Sequence, residues 1–480
     1  MTLAPWVLTV FFSMSHYVVL IDTKPCALFN FWPYCFPSTT LQTILRNMLL
    51  TVVFGLFVVQ TWWLYSKDYY QEWFFSKKKF LIYILPCLAL FSFPFTSADT
   101  FFYFRVGDAA QTVNPYITER ITTNPFLFPH VESSVAGVMY GPITVQLMAR
   151  IAQLAHGSYA VFLLLWKFFL LASSIFIIWM LFRHTASSRH NSLMLALSPL
   201  LLWEWLAVGH FDVLWLLTVL LAYLFAKRNQ WIWVWPMLTI GIWLKFLPIL
   251  LAPWFFLWWW SKLTKATWKR LTFELGVGGV ISGVITFLSW APYWTDWSIF
   301  STISMQSKWA VHTVFASIYY LLKPLAELAI GGNYHWWLTR ALHAALFVFV
   351  VYLLWPQVKF VFHSLRHPSL AKKELILWSM LYTFSVFLFV WQKSFWPWYA
   401  LWPIVLSQLL SKQAQERFFP ITVWLFASSM VMTGVYQFGF HQGFLIPFTI
   451  ISMLAIQVPV MYHLITLRSY FPSHETATNT

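Results

Sequence analysis

The sequence predicts an all-α, polytopic integral membrane protein, and three properties of the chain support this prediction. Of the 480 residues, 60% are hydrophobic and only 9% are charged, whereas soluble domains carry about 25% charged residues. The mean hydropathy is +0.67. Apolar stretches of about 18 or more residues, long enough to cross a bilayer, recur along almost the whole chain.

These stretches predict a bundle of about 14 transmembrane helices, within a range of about 11 to 14. Aromatic residues crowd the ends of many stretches, as amphipathic rings do in the headgroup zone. The first stretch lacks a basic segment and a small-residue cleavage pattern, so we expect it to be retained as a helix. The candidate helices cover residues 5–21, 41–65, 80–97, 158–182, 192–208, 213–226, 231–244, 246–261, 271–291, 336–355, 374–391, 398–411, 418–436 and 444–463.

The basic residues orient the bundle, because most of them lie in short linkers between apolar stretches, as is typical of cytoplasmic anchors. All of the basic linkers fall on the cytoplasmic side only if the stretch from Tyr140 to Ala155 lies along the outer surface and does not cross the membrane. Two long loops, 98–157 and 292–335, then face outward with their juxtamembrane helices. The net charge of +15 is explained by this orientation, and we expect no nucleic-acid partner.

We therefore predict three parts in the chain. Residues 1–79 form an N-terminal accessory hairpin with a cytoplasmic loop, residues 80–464 form the transmembrane core, and residues 465–480 form a cytoplasmic tail. Cys26 and Cys35 share one outer loop and could form a disulfide. The cysteines show no metal-ligand spacing, so we predict no metal centre from them.

The first outer loop opens with the strongest catalytic candidate, Asp99. A carboxylate at the membrane boundary is partly desolvated and can accept a proton from a hydroxyl group. Tyr103, Arg105 and Asp108 follow closely. The alternative is that Asp99 is only a solvated acid at a helix end. If the loop is catalytic, Asp108 is the alternative base, and Asp99 is preferred because it lies closer to the bilayer.

Further along the same loop, Asn114-Pro115-Tyr116 and the Tyr140-Gly141-Pro142 turn could present their tyrosines to a pocket at the membrane surface. Gly and Pro make a sharp turn there, just before an amphipathic stretch.

A second group of polar residues lies in the middle of the chain. Glu204 lies within an apolar stretch, where a charged acid is costly, so we expect it to be protonated or paired. His210 and Asp212 follow in a short outer turn and could orient a sugar hydroxyl or bind a cation. A divalent cation, Mg²⁺ or Mn²⁺, could be held there through waters, although two residues are too few for a closed metal site.

Two cations are candidate binders of a lipid phosphate. Lys245 lies in an outer turn, against the positive-inside pattern, where a low dielectric would strengthen attraction to a phosphate; the alternative is an idle lysine that extends to the interface. Lys393 lies in an aromatic turn that ends at Tyr399. Aromatic faces of this kind stack on sugars.

In chain order, these motifs resemble the GT-C superfamily of membrane glycosyltransferases, and most closely its polyprenyl-phosphate-mannose-dependent mannosyltransferases. The pattern is an acid and an aromatic after a helix, then Asn-Pro-Tyr, Tyr-Gly-Pro, Gly-His-x-Asp, Lys-x-x-Pro and Pro-Trp-Tyr. Two features depart from it: the hairpin 5–65 is extra, and Gln111-Thr112-Val113 replaces the usual glycine. The matching residues are Asp99, Tyr103, Gly107-Asp108, Asn114 to Tyr116, Tyr140 to Pro142, Glu204, Gly209 to Asp212, Lys245 to Pro248 and Pro397 to Tyr399.

The resemblance implies a GT-C-like core and transfer of a hexose, with mannose the expected sugar, from a polyprenyl-phosphate donor to a hydroxyl of a glycan or glycolipid acceptor. Transfer would occur with inversion on the outer face of the plasma membrane. Asp99 would be the general base, and Lys245 with Arg105 or Lys393 would bind the donor phosphate. The tyrosines at 103, 116, 140 and 399 would position the substrates, as would Glu204, His210 and Asp212.

Two other classes of protein fit parts of this pattern. A transporter or flippase of lipid-linked glycans would share the helix count and the outer cations, but transporters more often place ionisable residues near the bilayer midplane. A non-catalytic assembly scaffold would need none of the polar residues. Transfer of sugar from a synthetic donor separates the first alternative from an enzyme, because a flippase leaves the lipid chemically unchanged.

Overall fold

The computed structural model shows a helical protein with one two-stranded pairing, Ile121–Thr122 against Ser134–Val135. Apart from this pair of strands, the described part of the chain is all-α, as predicted. The structure describes residues 6–7, 56–57, 59, 79–92, 99–117, 121–122, 134–135, 138, 140–184, 192, 195–296, 314–368, 372–391, 396–418, 421–422, 424–425, 428–429 and 457–468.

The helices follow the apolar stretches, with some breaks. In chain order they are α1 (Lys79–Phe91), α2 (Asp99–Ala109), α3 (Pro142–Leu154), α4 (Tyr159–His184), α5 (Pro199–Ala207, π-helical from Leu202), α6 (Asp212–Lys227), α7 (Trp231–Leu244), α8 (Ala252–Trp260), α9 (Trp268–Trp290), α10 (Val314–Ile330), α11 (Tyr334–Arg366), α12 (Lys373–Val386, continued by a π-helical turn Phe387–Trp391), α13 (Leu401–Ser407) and α14 (Val458–Arg468). Short 3₁₀ segments cover Leu247–Leu250, Gly331–Asn333 and Pro397–Ala400.

Four described helical segments are long and apolar enough to cross a membrane: Tyr159–His184, Trp268–Trp290, Ile318–Arg366 and Lys373–Trp391. The count rises to five if α5 and α6, bent by 112° at their junction, form a single span. α7 and the segment Leu247–Trp260 are apolar but shorter. The predicted helices 5–21 and 41–65 lie almost entirely outside the described residues, as do most of 418–436 and 444–463.

Hydrogen bonds between the helices define two ends of the bundle. At one end, α4 and α6 finish side by side, with Lys227 Nζ donating to the carbonyl of His184 at 2.7 Å. At the other end, the first residue of α4, Tyr159, is hydrogen-bonded to Thr100 at the start of α2. α7 runs from the first end to the second, because its last residue, Leu244, accepts a hydrogen bond from Thr144 of α3.

Two glycines allow close packing of the outer-loop helices. A Cβ at Gly107 of α2 would lie 2.3 Å from the carbonyl oxygen of Met148 in α3, and a Cβ at Gly141 would lie 1.9 Å from that of Trp243 in α7. Pro142 then begins α3, a position at which its missing N–H costs nothing. The Tyr140-Gly141-Pro142 turn is thus packed against the end of α7, directly before Lys245.

The sequence predicts an acid at the end of a helix, but the structure places Asp99 in the first turn of α2. A negative charge at this position is favoured by the helix dipole and by the unpaired N–H groups of the first turn. The same applies to Asp212 at the start of α6. Both acids therefore occupy helix N-termini at the same end of the bundle as Thr100 and Tyr159.

The junction between α5 and α6 is a tight turn. Ser198 caps α5 by accepting from Leu201 N–H at 3.2 Å. The π-helical turn ends at Ala207. Two residues later, Gly209 has a φ of +89°, in the left-handed region that favours glycine. π-helical turns of this kind occur frequently at functional sites.

The described residues of the predicted N-terminal hairpin pack against this π-helical turn. The ring centroids of Trp6 and Phe57 lie 6.1 and 5.7 Å from that of Trp203. All three side chains are fully buried. Trp6 and Phe57 thus cover Trp203, the residue that precedes Glu204.

Replacing Gly141 by Ala should destabilise the protein, because the new methyl group collides with backbone atoms of α7. Overpacking of this kind typically costs about 1–3 kcal/mol. Thermal unfolding in detergent micelles measures the effect as a lowered midpoint. Gly276→Ala is the matched control, because a Cβ there meets nothing within 4 Å; equal midpoints for the two variants would contradict the packing described.

Candidate functional site

A buried histidine joins two carboxylates at the start of α2 and the end of α5. His210 Nδ1 lies 3.0 Å from Glu204 Oε2, and His210 Nε2 lies 3.3 Å from Asp99 Oδ2. The side chains of His210 and Glu204 are each only 1% exposed, whereas that of Asp99 is 34% exposed. One acid of this triad is therefore open to a substrate and the other is not.

The two contacts favour a protonated imidazole. Ionised carboxylates only accept hydrogen bonds, so a histidine between two of them is best satisfied when both nitrogens carry protons. Trp398 covers one face of the ring, with centroids 3.7 Å apart and planes at 20°. An aromatic face also stabilises a cation. The prediction that Glu204 is paired fits this geometry.

Two tyrosines adjoin the exposed acid. The Tyr103 hydroxyl lies 3.5 Å from Asp99 Oδ2, and the rings of Tyr103 and Tyr140 meet edge to face at 5.6 Å. Burial, followed by electrostatic interaction with Tyr140 and with the Asp99 carboxylate, raises the pKa of Tyr103 well above its usual value. Burial and the charge of Asp99 also raise the pKa of Tyr140 well above its usual value. Both hydroxyls therefore stay protonated and can act as donors.

A second ion pair follows in the same turn. Lys245 Nζ lies 2.6 Å from Asp212 Oδ1, which also accepts from Trp215 Nε1 at 3.3 Å. The ammonium lies over the rings of Tyr399 and Trp402, 4.8 and 4.6 Å from their centroids. Because the pair is buried beneath aromatic rings, its charges are poorly screened by solvent.

The structure therefore brings the predicted site residues together at one end of the bundle. Asp99 contacts His210, and Lys245 contacts Asp212, two positions later in the same turn. The opposite wall is a second short segment, in which Trp398 covers His210 and Tyr399 covers Lys245.

The more distant tyrosine of the first loop supports this site from behind. Tyr116 is buried and donates from its hydroxyl to the carbonyl of Tyr140 at 2.7 Å. Asn114 donates to the carbonyl of Tyr293, 2.6 Å away, beyond the end of α9. Tyr116 thus fixes the Tyr140-Gly141-Pro142 turn and is not shown in contact with the acids.

Two predicted residues, Arg105 and Asp108, pair with each other and are not among the contacts of the cluster. Asp108 points to Arg105, 3.8 Å away, with side chains 49% and 35% exposed. An exposed pair of this length contributes little. Lys393 lies outside the described residues.

Sequence reasoning missed three residues that hold the site. Trp398 was noticed only as part of an aromatic turn. Trp166 donates from Nε1 to the carbonyl of Gly209 at 2.9 Å, and nothing in its apolar surroundings marks it. The neighbouring Lys167 carried a signal, because a lysine inside an apolar helix is rare and costly.

Within the part of the chain that the structure describes, no group of three His, Cys, Asp or Glu side chains is arranged to hold a metal ion. Both ring nitrogens of His210 face carboxylates, and Asp212 faces an ammonium group.

Comparison with known families then adds evidence on the activity. Residues 30–262 match the family model of the alpha-(1->6)-mannopyranosyltransferase N-terminal domain. This match supports a membrane mannosyltransferase of the GT-C type. The matched region of this glycosyltransferase contains Asp99, Glu204, His210, Asp212 and Lys245, and it ends before the wall at Trp398. It begins inside the predicted accessory hairpin.

No curated protein and no solved structure matches the mannosyltransferase. The resemblance inferred from the motifs and the family match agree on mannosyl transfer.

Removing the buried acid should destabilise the mannosyltransferase much more than removing an exposed one. Glu204→Gln leaves a buried imidazolium with one partner lost, and breaking a buried pair typically costs about 3–5 kcal/mol. Asp108→Asn removes an exposed pair, worth at most about 1 kcal/mol. Unfolding midpoints of the two variants in the same detergent compare these costs. Equal midpoints would show that Glu204 does not pair with a charged His210.

Proposed function

We propose that the protein transfers a mannosyl residue from a polyprenyl-phosphate donor to a hydroxyl group of a glycan or glycolipid acceptor on the outer face of the plasma membrane. The observation that carries this proposal is the exposed Asp99 carboxylate, held against the buried His210–Glu204 pair. A carboxylate that is held beside a buried cation and is partly exposed to solvent is suited to accept a proton from a substrate.

The proposed reaction is a single displacement with inversion. The acceptor hydroxyl oxygen attacks the anomeric carbon while Asp99 takes its proton, and the bond from that carbon to the phosphate oxygen breaks. The electron pair of this bond remains on the lipid phosphate. General base catalysis of this kind typically contributes about 10²- to 10⁴-fold.

Lys245 is positioned to balance the charge that develops on the leaving phosphate. Its ammonium has three N–H donors, and its contact with Asp212 fixes its position. A fixed cation in a poorly solvated site stabilises developing negative charge without having to reorganise. Tyr399 and Asp212 then act as positioning groups around it, while Arg105 and Lys393 are candidates for contacts further along the donor.

The family description suggests the product linkage. An α-(1→6) bond formed with inversion requires a β-linked donor, and the accepting group is then the primary 6-hydroxyl of a hexose. A primary hydroxyl is less hindered than a ring hydroxyl. Tyr103 and Tyr140, whose hydroxyls stay protonated beside Asp99, are suited to donate to the acceptor sugar.

The distribution of charge along the bundle supports an outer-face site. Arg183, Lys227 and Arg228 lie where α4 and α6 end, and the two ends are joined by a hydrogen bond. Asp99 and Asp212 lie at the other ends of the neighbouring helices. Because basic ends tend to face the cytoplasm, this distribution supports an outer location for the acids and Lys245.

The positive-inside rule also supports a topology for the bent α5–α6 pair. α6 ends at the basic residues Lys227 and Arg228, and Arg189 precedes α5 by ten residues in the sequence. The pair should therefore enter and leave the membrane from the cytoplasmic side, with Gly209 to Phe211 at its outermost point. The bundle of about 14 spans and the three-part division of the chain at residues 79 and 464 remain our proposals. The family match reaches into the first part from residue 30.

Replacing Asp99 by Asn should abolish transfer, because the amide is similar in shape but cannot accept the proton. We expect a loss of about 10²- to 10⁴-fold in kcat, with the protein still folded and inserted. Asp108→Asn should retain most activity, because its carboxylate points away from the cluster. Initial rates with a synthetic polyprenyl-phosphate mannose and an oligomannoside acceptor measure both. An active Asp99→Asn with an inactive Asp108→Asn would exchange their roles.

The same assay tests the donor class. Reconstituted protein should form a mannosylated acceptor from polyprenyl-phosphate mannose and none from a nucleotide-linked mannose. Labelled donor placed only in the outer leaflet should be consumed, whereas donor confined to the inner leaflet should not. Movement of intact donor between leaflets without product would instead indicate a flippase.

A further inference from the structure

Helix α4 carries a buried lysine in its apolar interior. Lys167 is completely buried, and its helix is among those long and apolar enough to cross a membrane. An ammonium in such surroundings is costly and is usually retained for a specific purpose. Among the described residues, no carboxylate lies within ion-pair distance of it.

The ammonium binds the carboxyl end of helix α1. Lys167 Nζ donates to the carbonyl of Leu90 at 3.4 Å and to that of Ser92. The last carbonyls of a helix have no partner within the helix, and a cation there also offsets the negative end of the dipole. Lys167 thus ties the middle of α4 to the carboxyl end of α1.

Other residues of α4 hold the two partners of the triad. The Tyr159 hydroxyl is hydrogen-bonded to Thr100 Oγ1 at 2.9 Å, one residue after Asp99. Trp166 donates to the carbonyl of Gly209 at 2.9 Å, one residue before His210. Tyr159 and Trp166 are two turns apart on the same helix face, and Lys167 follows directly.

We propose that Lys167 is a positioning residue of the mannosyltransferase, which fixes the distance between Asp99 and His210 by holding α4 against the end of α1. The proposal rests on the proposed role of Asp99 as general base. Lys167 does not touch the substrates; it acts through α4, whose Tyr159 and Trp166 hold Thr100 and Gly209. Loss of the lysine releases α4 from the end of α1, and the two contacts that hold Asp99 and His210 in place lose their support.

Lys167→Met tests the proposal, because methionine is of similar length and suits an apolar helix but cannot bind the carbonyls. A displacement of the base by about 1 Å can cost on the order of 10²-fold, so we expect kcat to fall by about 10- to 100-fold. The KM of either substrate should change little. Lys167→Arg, which keeps the charge and the donors, should recover most of the lost activity.

Lys227→Met is the matched control. Like Lys167, Lys227 binds a carbonyl at the end of a helix, here that of His184 in α4. This contact lies at the exposed end of the bundle, opposite the site. Its replacement removes the same kind of bond and should leave kcat and its pH dependence unchanged.

The pH dependence of kcat separates positioning from a general loss of structure. If Asp99 moves away from His210, the carboxylate loses a neighbouring cation and binds its proton more tightly. The acid limb of the profile should therefore move to higher pH in Lys167→Met. A variant that merely contains fewer folded molecules would keep the wild-type profile at reduced amplitude.

Wild-type kcat in Lys167→Met would overturn the proposal. So would a reduced kcat with an unshifted acid limb, or an equal reduction in Lys227→Met. An active Asp99→Asn would overturn the proposed function itself, whereas an inactive Asp99→Asn with a normal Lys167→Met would overturn only the role of Lys167.

Discussion

The contact between Asp99 and His210 is the interaction on which the rest of the site depends. It joins the start of α2 to the turn between α5 and α6, and Glu204 completes it from the buried side. The charges of these three side chains are tolerated because each one is paired, since an isolated buried charge is strongly disfavoured. The surrounding helices can be understood as the means of keeping these three groups at contact distance.

A second ion pair repeats this arrangement beside the first. Lys245 and Asp212 are buried under Tyr399 and Trp402, in the way that His210 is covered by Trp398. One turn therefore holds a base through His210 and a cation through Asp212, which is the separation of roles that sugar transfer from a phosphate requires. Both pairs are assembled by residues far apart in the chain, which explains why the close contacts at Gly107 and Gly141 are necessary.

Much of the site could be predicted because it consists of polar residues in an apolar sequence. Asp99, Glu204, His210 and Lys245 stand out for this reason, and positive-inside charges indicate their common side. The contact partners could not be predicted, since no local periodicity specifies that residue 99 meets residue 210. The placement of Asp99 at a helix start was also missed, because hydropathy marks where an apolar stretch ends and not where the next helix begins.

The central claim is that Asp99 removes the proton of the acceptor hydroxyl while Lys245 faces the leaving phosphate. The most direct measurement is a structure of the protein with a non-hydrolysable polyprenyl-phosphate mannose analogue and an oligomannoside. The account predicts an acceptor hydroxyl within about 2.6–3.2 Å of the Asp99 carboxylate and the donor phosphate beside Lys245. An acceptor hydroxyl bound at Asp108, or a donor bound at the end of the bundle near Lys227, would contradict it.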